Sequence, residues 1–118
     1  MIFNTIILSI NITLIIIISY YTFDSLRYLK LYRYDEIIHF TMYFSLSLLA
    51  IRRTYFRTYF RSFLLLSIIL LLPLFTEYLQ YYNPKRRPDI SDIFYDYCGL
   101  LAGIMSILIY SYAKKNKD

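Results

Sequence analysis

Four long apolar runs, separated by three short charged linkers, set the outline of this chain. The first goes from Met1 to about Tyr21 and is rich in isoleucine. In water such a β-branched run would suggest a strand. However, roughly 20 apolar residues is the length that crosses a hydrocarbon core as a helix, and lipid forces the backbone to pair with itself. A signal peptide would bring a basic leading region, a shorter apolar core and a small-residue cleavage site; the run has none, so a retained membrane helix is expected. The second run, Ile37 to Ile51, is short for a span. It becomes long enough if Asp35 and Glu36 start the helix and Arg52 and Arg53 snorkel at its far end. The third, Ser62 to Tyr82, carries Pro73, which bends a membrane helix without ending it. The fourth starts near Asp89 and continues to Tyr112. The pattern predicts an all-α membrane protein with four transmembrane helices in an antiparallel bundle. The spans cover about residues 2–21, 35–51, 62–82 and 91–112 of a single domain, 1–118.

The fourth run has internal order. Asp89, Asp92, Asp96, Gly99 and Gly103 advance by steps of three and four, which at 100° per residue places them within an arc of about 80°. One stripe thus carries acids at its mouth and glycines deeper in. Asp89 and Asp92 have the spacing of a capping pair, which makes Asp89 a cap before it is anything else. Gly99 and Gly103, with Ala102 beside them, let another helix backbone approach closely. Upstream, Pro84 and Pro88 bracket Lys85, Arg86 and Arg87 and bar a continuous helix. The linker from Thr22 to Tyr34 puts Arg27, Lys30 and Arg33 on one face if helical, as in an interfacial segment. Arg52 to Arg61 reads as a basic, aromatic loop at the headgroups.

Composition agrees. Hydrophobic residues make up 58% of the chain, against roughly 45–50% in a soluble domain, and there are 15 Tyr and no Trp. Many of the tyrosines (Tyr20, Tyr21, Tyr81, Tyr82, Tyr110, Tyr112) sit at run ends, where amphipathic rings meet headgroups. A net charge of +5 would hint at nucleic acid in a soluble protein. Here the cations occupy the gaps between apolar runs, as membrane flanks do, and no nucleic-acid partner is expected. The single cysteine, Cys98, excludes an internal disulfide and a multi-cysteine metal site, and is expected as a small buried residue.

With four spans the cations divide almost evenly between the two sides, and both termini are expected in the cytoplasm. The acids do not divide: every Asp and Glu except Asp118 falls on the side away from the N-terminus. Asp35, Glu36 and His39 open the second helix, Glu77 and Gln80 close the third, and Arg86 to Asp96 open the fourth, all at one depth. A carboxylate at the edge of hydrocarbon costs a few kcal/mol without a partner, so a shared polar mouth is expected there, shaped by Pro73 and the two glycines. The candidate site residues are Asp35, His39, Tyr43, Glu77, Gln80, Arg86, Asp89, Asp92 and Asp96. His39 lies four after Asp35 and three after Glu36, so it can hydrogen-bond either carboxylate, or serve as a ligand or proton carrier. Tyr43 follows on the same face. Glu77, Gln80 and Arg86 suit either a binding site or a latch between the third and fourth helices.

These residues resemble the VanZ-like family, small bacterial membrane proteins associated with glycopeptide (teicoplanin) resistance. That family's pattern opens one helix with Asp-Lys-x-x-His-Phe-x-x-Tyr; this chain has Asp35, His39, Phe40 and Tyr43. It continues with Glu-x-x-Gln, an aromatic, Pro, Arg and spaced Asp, Asp, Asn, Gly, Gly. Glu77, Gln80, Tyr82, Pro84, Arg86, Asp89, Asp92, Gly99 and Gly103 match these at the family spacing. Glu36 replaces the Lys and Asp96 the Asn; both departures add negative charge and favour a bound cation.

The resemblance implies a multi-pass protein of the bacterial cytoplasmic membrane. With no recognised catalytic motif, the mouth is expected to bind a membrane lipid or lipid-linked envelope precursor without a cofactor, with Arg86 and the basic rim meeting its anionic group. An alternative is a metal-dependent hydrolase or phosphatase acting on a polyprenyl-linked lipid, in which Asp, Glu and His hold a divalent metal. The sequence has no H-E-x-x-H, phosphate loop or Ser-His-Asp order to support it. A proton-coupled transporter ranks below both, because no charge falls near mid-membrane and a bundle this small offers a pathway only as a homo-oligomer.

Overall fold

The structure, a computed structural model, describes residues 2–20, 34–54, 59–84 and 89–116. Four helices follow in order: α1 Ile2–Tyr20, α2 Asp35–Thr54, α3 Tyr59–Tyr81 and α4 Ile90–Lys115. No strand occurs among the described residues. The expected interfacial segment, the tip of the basic loop and Arg86 lie largely or wholly outside them.

All four expected helices form, but only two have the length and apolarity to cross a membrane: α3 over Ser62–Tyr81 and α4 over Ile90–Lys115. In α1 the apolar stretch among the described residues is Thr5–Tyr20. α2 is diluted by Asp35 and Glu36 at its start, by Arg52 and Arg53 near its end and by serines between. The expectation of four spans is thus supported for two helices. Within their most apolar windows only 28% and 22% of the residues are buried, which suits a membrane helix better than the core helix of a water-soluble domain. Phe63, Leu64, Leu71, Phe75, Leu101 and Ile109 stand exposed on them, an apolar surface that hydrocarbon would cover and water would not favour.

A single small core joins the helices through Leu8 and Ile15 of α1, Tyr43, Leu46 and Ala50 of α2, Ile69 and Leu72 of α3 and Leu100 of α4. Cys98, expected to be buried, is only half-buried. Pro73 lies inside α3 and has no N–H to give the Ile69 carbonyl. The neighbouring Leu70 carbonyl accepts from the Tyr97 hydroxyl of α4 at 2.8 Å, and Thr76 returns its hydroxyl proton to the Pro73 carbonyl at 3.0 Å. The disturbed turn is therefore tied to its surroundings. α1 joins through Asn11, whose amide donates to the Ser45 hydroxyl at 3.2 Å, and through its last carbonyl, Tyr20, which accepts from Asn83 just beyond α3.

The closest pairing is α2 with α4. Its cause is the predicted stripe, since Asp92, Asp96, Gly99 and Gly103 are all buried on α4. A Cβ on Gly99 would collide with the backbone carbonyl of Phe40 and stand 3.0 Å from the Phe44 nitrogen. On Gly103 it would overlap the Ser47 hydroxyl and stand 2.9 Å from the Phe44 carbonyl. Ser47 can rotate; backbone cannot. Gly99→Ala gains about 1 kcal/mol of helix propensity, yet the collision with α2 backbone outweighs it, and a net loss of about 1–3 kcal/mol is expected. Thermal unfolding in detergent reads this directly. An unchanged or raised midpoint would mean that the two helices are not held this close.

Candidate functional site

The α2–α4 approach assembles a cluster from two residues on each helix, one turn apart: Asp35 and His39 on α2, Asp92 and Asp96 on α4. The His39 Nδ1 lies 2.8 Å from Asp96 Oδ1. A carboxylate accepts, so Nδ1 carries the proton and donates it. On the other side of the ring, Nε2 is 3.8 Å from Asp35 Oδ1 and 3.7 Å from Asp92 Oδ2. The side chains form a gradient of depth. Asp35 is 36% exposed, Asp92 9%, and His39 and Asp96 2% each. The cluster therefore opens at Asp35 and closes on the His39–Asp96 bond. One atom each from Asp35, His39 and Asp92 lies within 4.8 Å of the other two, a spacing that suits a metal ion.

One turn deeper on α2, the Tyr43 hydroxyl lies 3.0 Å from Thr76 Oγ1 of α3. Thr76 already gives its proton to the Pro73 carbonyl, so Tyr43 is the donor. This contact sets the register of two antiparallel helices. One turn along α2 from Tyr43 is His39; one turn along α3 from Thr76, in the same direction, is Gln80. Gln80 thus lies one turn nearer the mouth than the Tyr43–Thr76 contact. It is completely buried, and neither its amide nitrogen nor its amide oxygen has a hydrogen-bond partner among the described residues.

Glu77 separates from Gln80. Its carboxylate accepts the backbone N–H of Asp89 and so latches the end of α3 to the start of α4. It also lines a shallow, mostly apolar groove with Leu74, Tyr78, Tyr81 and Ile93. Asp89 is an N-cap: its backbone is extended and its carboxylate accepts from the Ser91 N–H at 2.9 Å. The backbone and hydroxyl of Ser91 hold that carboxyl below the usual carboxylate range. Of the sequence-predicted residues, then, the structure gathers Asp35, His39, Asp92 and Asp96, with Tyr43 and Gln80 alongside. It sets Glu77 and Asp89 apart as a latch and a cap. Sequence reasoning missed Thr76 and Tyr97. Thr76 was detectable as a polar residue one turn before Gln80 in an otherwise apolar run; Tyr97 was one of many tyrosines with no distinguishing spacing.

A buried amide without partners costs about 1–3 kcal/mol. Replacing it with an apolar side chain of similar size removes that cost. Gln80→Leu is therefore expected to raise the unfolding midpoint of the ligand-free protein in detergent. A destabilised Gln80→Leu would show that the amide is a structural latch.

Among known proteins, no curated relative and no solved structure matches the chain. A family model described as VanZ/LLP1 matches residues 2–111, nearly the whole sequence. It takes in α3, all but the last turn of α4 and every residue of the buried cluster, and on that match the chain belongs to the VanZ/LLP1 family.

Proposed function

We propose that this protein binds the polar head of an envelope lipid or lipid-linked precursor at a one-sided mouth in the bacterial cytoplasmic membrane, and that this binding supports teicoplanin resistance. The observation that carries the reading is Gln80: a completely buried amide with no partner among the described residues, toward the end of the bundle at which the polar cluster opens. Such a group is stabilised by something that enters. The groove of Leu74, Tyr78, Tyr81 and Ile93 meets Glu77 at the same end, which suits an acyl or polyprenyl chain running beside α3 and α4 while its head turns inward.

The cluster itself is acidic, so it takes the hydroxyl- or amine-bearing part of a head. The phosphate falls to Lys85, Arg86 and Arg87, which come just before Asp89 in the chain. Arg86 offers a planar fork of donors for a phosphate oxygen pair. In this reading both termini are cytoplasmic, the mouth faces outward, and the protein acts by occupying or shielding the precursor without a chemical step.

The test is lipid recovery together with susceptibility. Wild type, Arg86→Ala and Gln80→Leu are expressed in a susceptible bacterium, purified, and analysed for bound lipid by mass spectrometry. Wild type is expected to raise the teicoplanin inhibitory concentration and to enrich one phosphate-bearing lipid class over bulk anionic lipid. Both variants should lose the enrichment and the protection. Equal recovery of all anionic lipids by wild type and Arg86→Ala overturns the reading.

A further inference from the structure

We infer that Asp35, His39 and Asp92 form a binding site for a transition-series divalent cation of the Zn²⁺ type, with Asp96 as the residue that orients the imidazole. The inference stands on the described residues alone and holds whether or not the mouth takes a lipid head.

Three observations converge. The first is the donor set. Imidazole and carboxylate together suit Zn²⁺, Mn²⁺ or Co²⁺, whereas Mg²⁺ and Ca²⁺ take oxygen donors almost exclusively. The three donor atoms lie within 4.8 Å of one another, with Nε2 at 3.7 Å and 3.8 Å from the two carboxylate oxygens. Tetrahedral ligands at about 2.0–2.1 Å from zinc are about 3.3 Å apart, so each carboxylate oxygen stands roughly half an ångström further from Nε2 than ligation requires.

The second is the support behind the ring. A metal-bound histidine usually gives its other N–H to a carboxylate, which fixes the tautomer and aims the free nitrogen at the metal. His39 does this: Nδ1 donates to the buried Asp96 at 2.8 Å, and Nε2 points to Asp35 and Asp92. The glycine-mediated approach of α2 and α4 makes this possible, since Asp96 sits one turn before Gly99 and Gly103 on the same stripe.

The third is Gln80, which belongs to neither helix of the donor set. It is fully buried with an unpartnered amide among the described residues, and it lies one turn nearer the mouth than the Tyr43–Thr76 contact. Three protein ligands leave a fourth position on the cation for water or an anionic oxygen. A buried amide on the mouth side of that contact can hold such a ligand, donating through Nε2 or accepting through Oε1.

The experiment uses the full chain, free of any histidine tag, in detergent micelles stripped with a chelator. Co²⁺ is titrated and read by its visible absorption, Zn²⁺ by competition against the bound Co²⁺. Circular dichroism confirms helix content, and bound lipid is measured separately in the chelated protein, so that the cation site and the lipid reading can fail independently. The expected result is saturable binding of one Co²⁺ per chain with a four-coordinate absorption pattern, displaced by Zn²⁺ and not by Mg²⁺. Asp35→Asn, at the exposed end of the cluster, should fold normally and weaken binding by at least about tenfold; Asp92→Asn should do so more strongly. Asp96→Asn keeps an acceptor for Nδ1 and should weaken binding by about 10–100-fold, the range for a group behind a metal-bound histidine. Absence of saturable Co²⁺ and Zn²⁺ binding to folded wild type overturns the proposal. So does equal affinity in wild type and Asp35→Asn, whatever happens to the more buried variants.

Discussion

The contact on which the structure depends is the approach of α4 to the backbone of α2 at Gly99 and Gly103. Two missing side chains let a carbonyl of α2 rest where a Cβ would otherwise be. In lipid there is no hydrophobic drive for two apolar helices to associate, so close packing and polar contacts must supply it. This pair has both. The same stripe of α4 that carries the glycines carries Asp96 and Asp92 one and two turns nearer the mouth than Gly99, so bringing the backbones together also brings two carboxylates against His39. The packing interface and the polar cluster are one feature seen at two depths.

The cluster runs against stability. Buried carboxylates lose hydration, and a buried amide with no partner among the described residues adds a further cost of about 1–3 kcal/mol. Natural sequences keep such groups where function needs them and recover the loss elsewhere. Here the recovery is visible: Tyr43, Thr76 and the Pro73 carbonyl form a satisfied chain, Tyr97 serves a carbonyl beside the proline turn, and Asp89 caps α4 while its own N–H is taken by Glu77. The unsatisfied amide stands out against these paired neighbours.

Much of this was legible in the sequence. The spacing of Asp89, Asp92, Asp96, Gly99 and Gly103 identified the buried face of α4 because a helix converts such spacing directly into direction. The gathering of acids toward one end followed from alternating helices. What spacing cannot report is contact between helices. Asp35 and Glu36 were the partners that local spacing offered His39, yet its hydrogen bond goes to Asp96, 57 residues away, while Glu36 interacts with Tyr95. Glu77 and Gln80 were read as one unit at three residues apart. A separation of about 60° around a helix was enough to send one to the α4 cap and the other into the interior. Of the four expected membrane spans, two are supported, while α2 carries charges at both of its ends that thin its apolar stretch.

The central claim is that glycine packing delivers His39 to Asp96. The chain has a single histidine, so selective ¹⁵N labelling of histidine gives one imidazole and an unambiguous spectrum. The account predicts, for wild type, a proton on Nδ1 in a strong hydrogen bond and protected from exchange, and the loss of that signal in folded Gly99→Ala. A freely exchanging, solvent-like imidazole in wild type, or the same protected Nδ1 proton in Gly99→Ala, would contradict it.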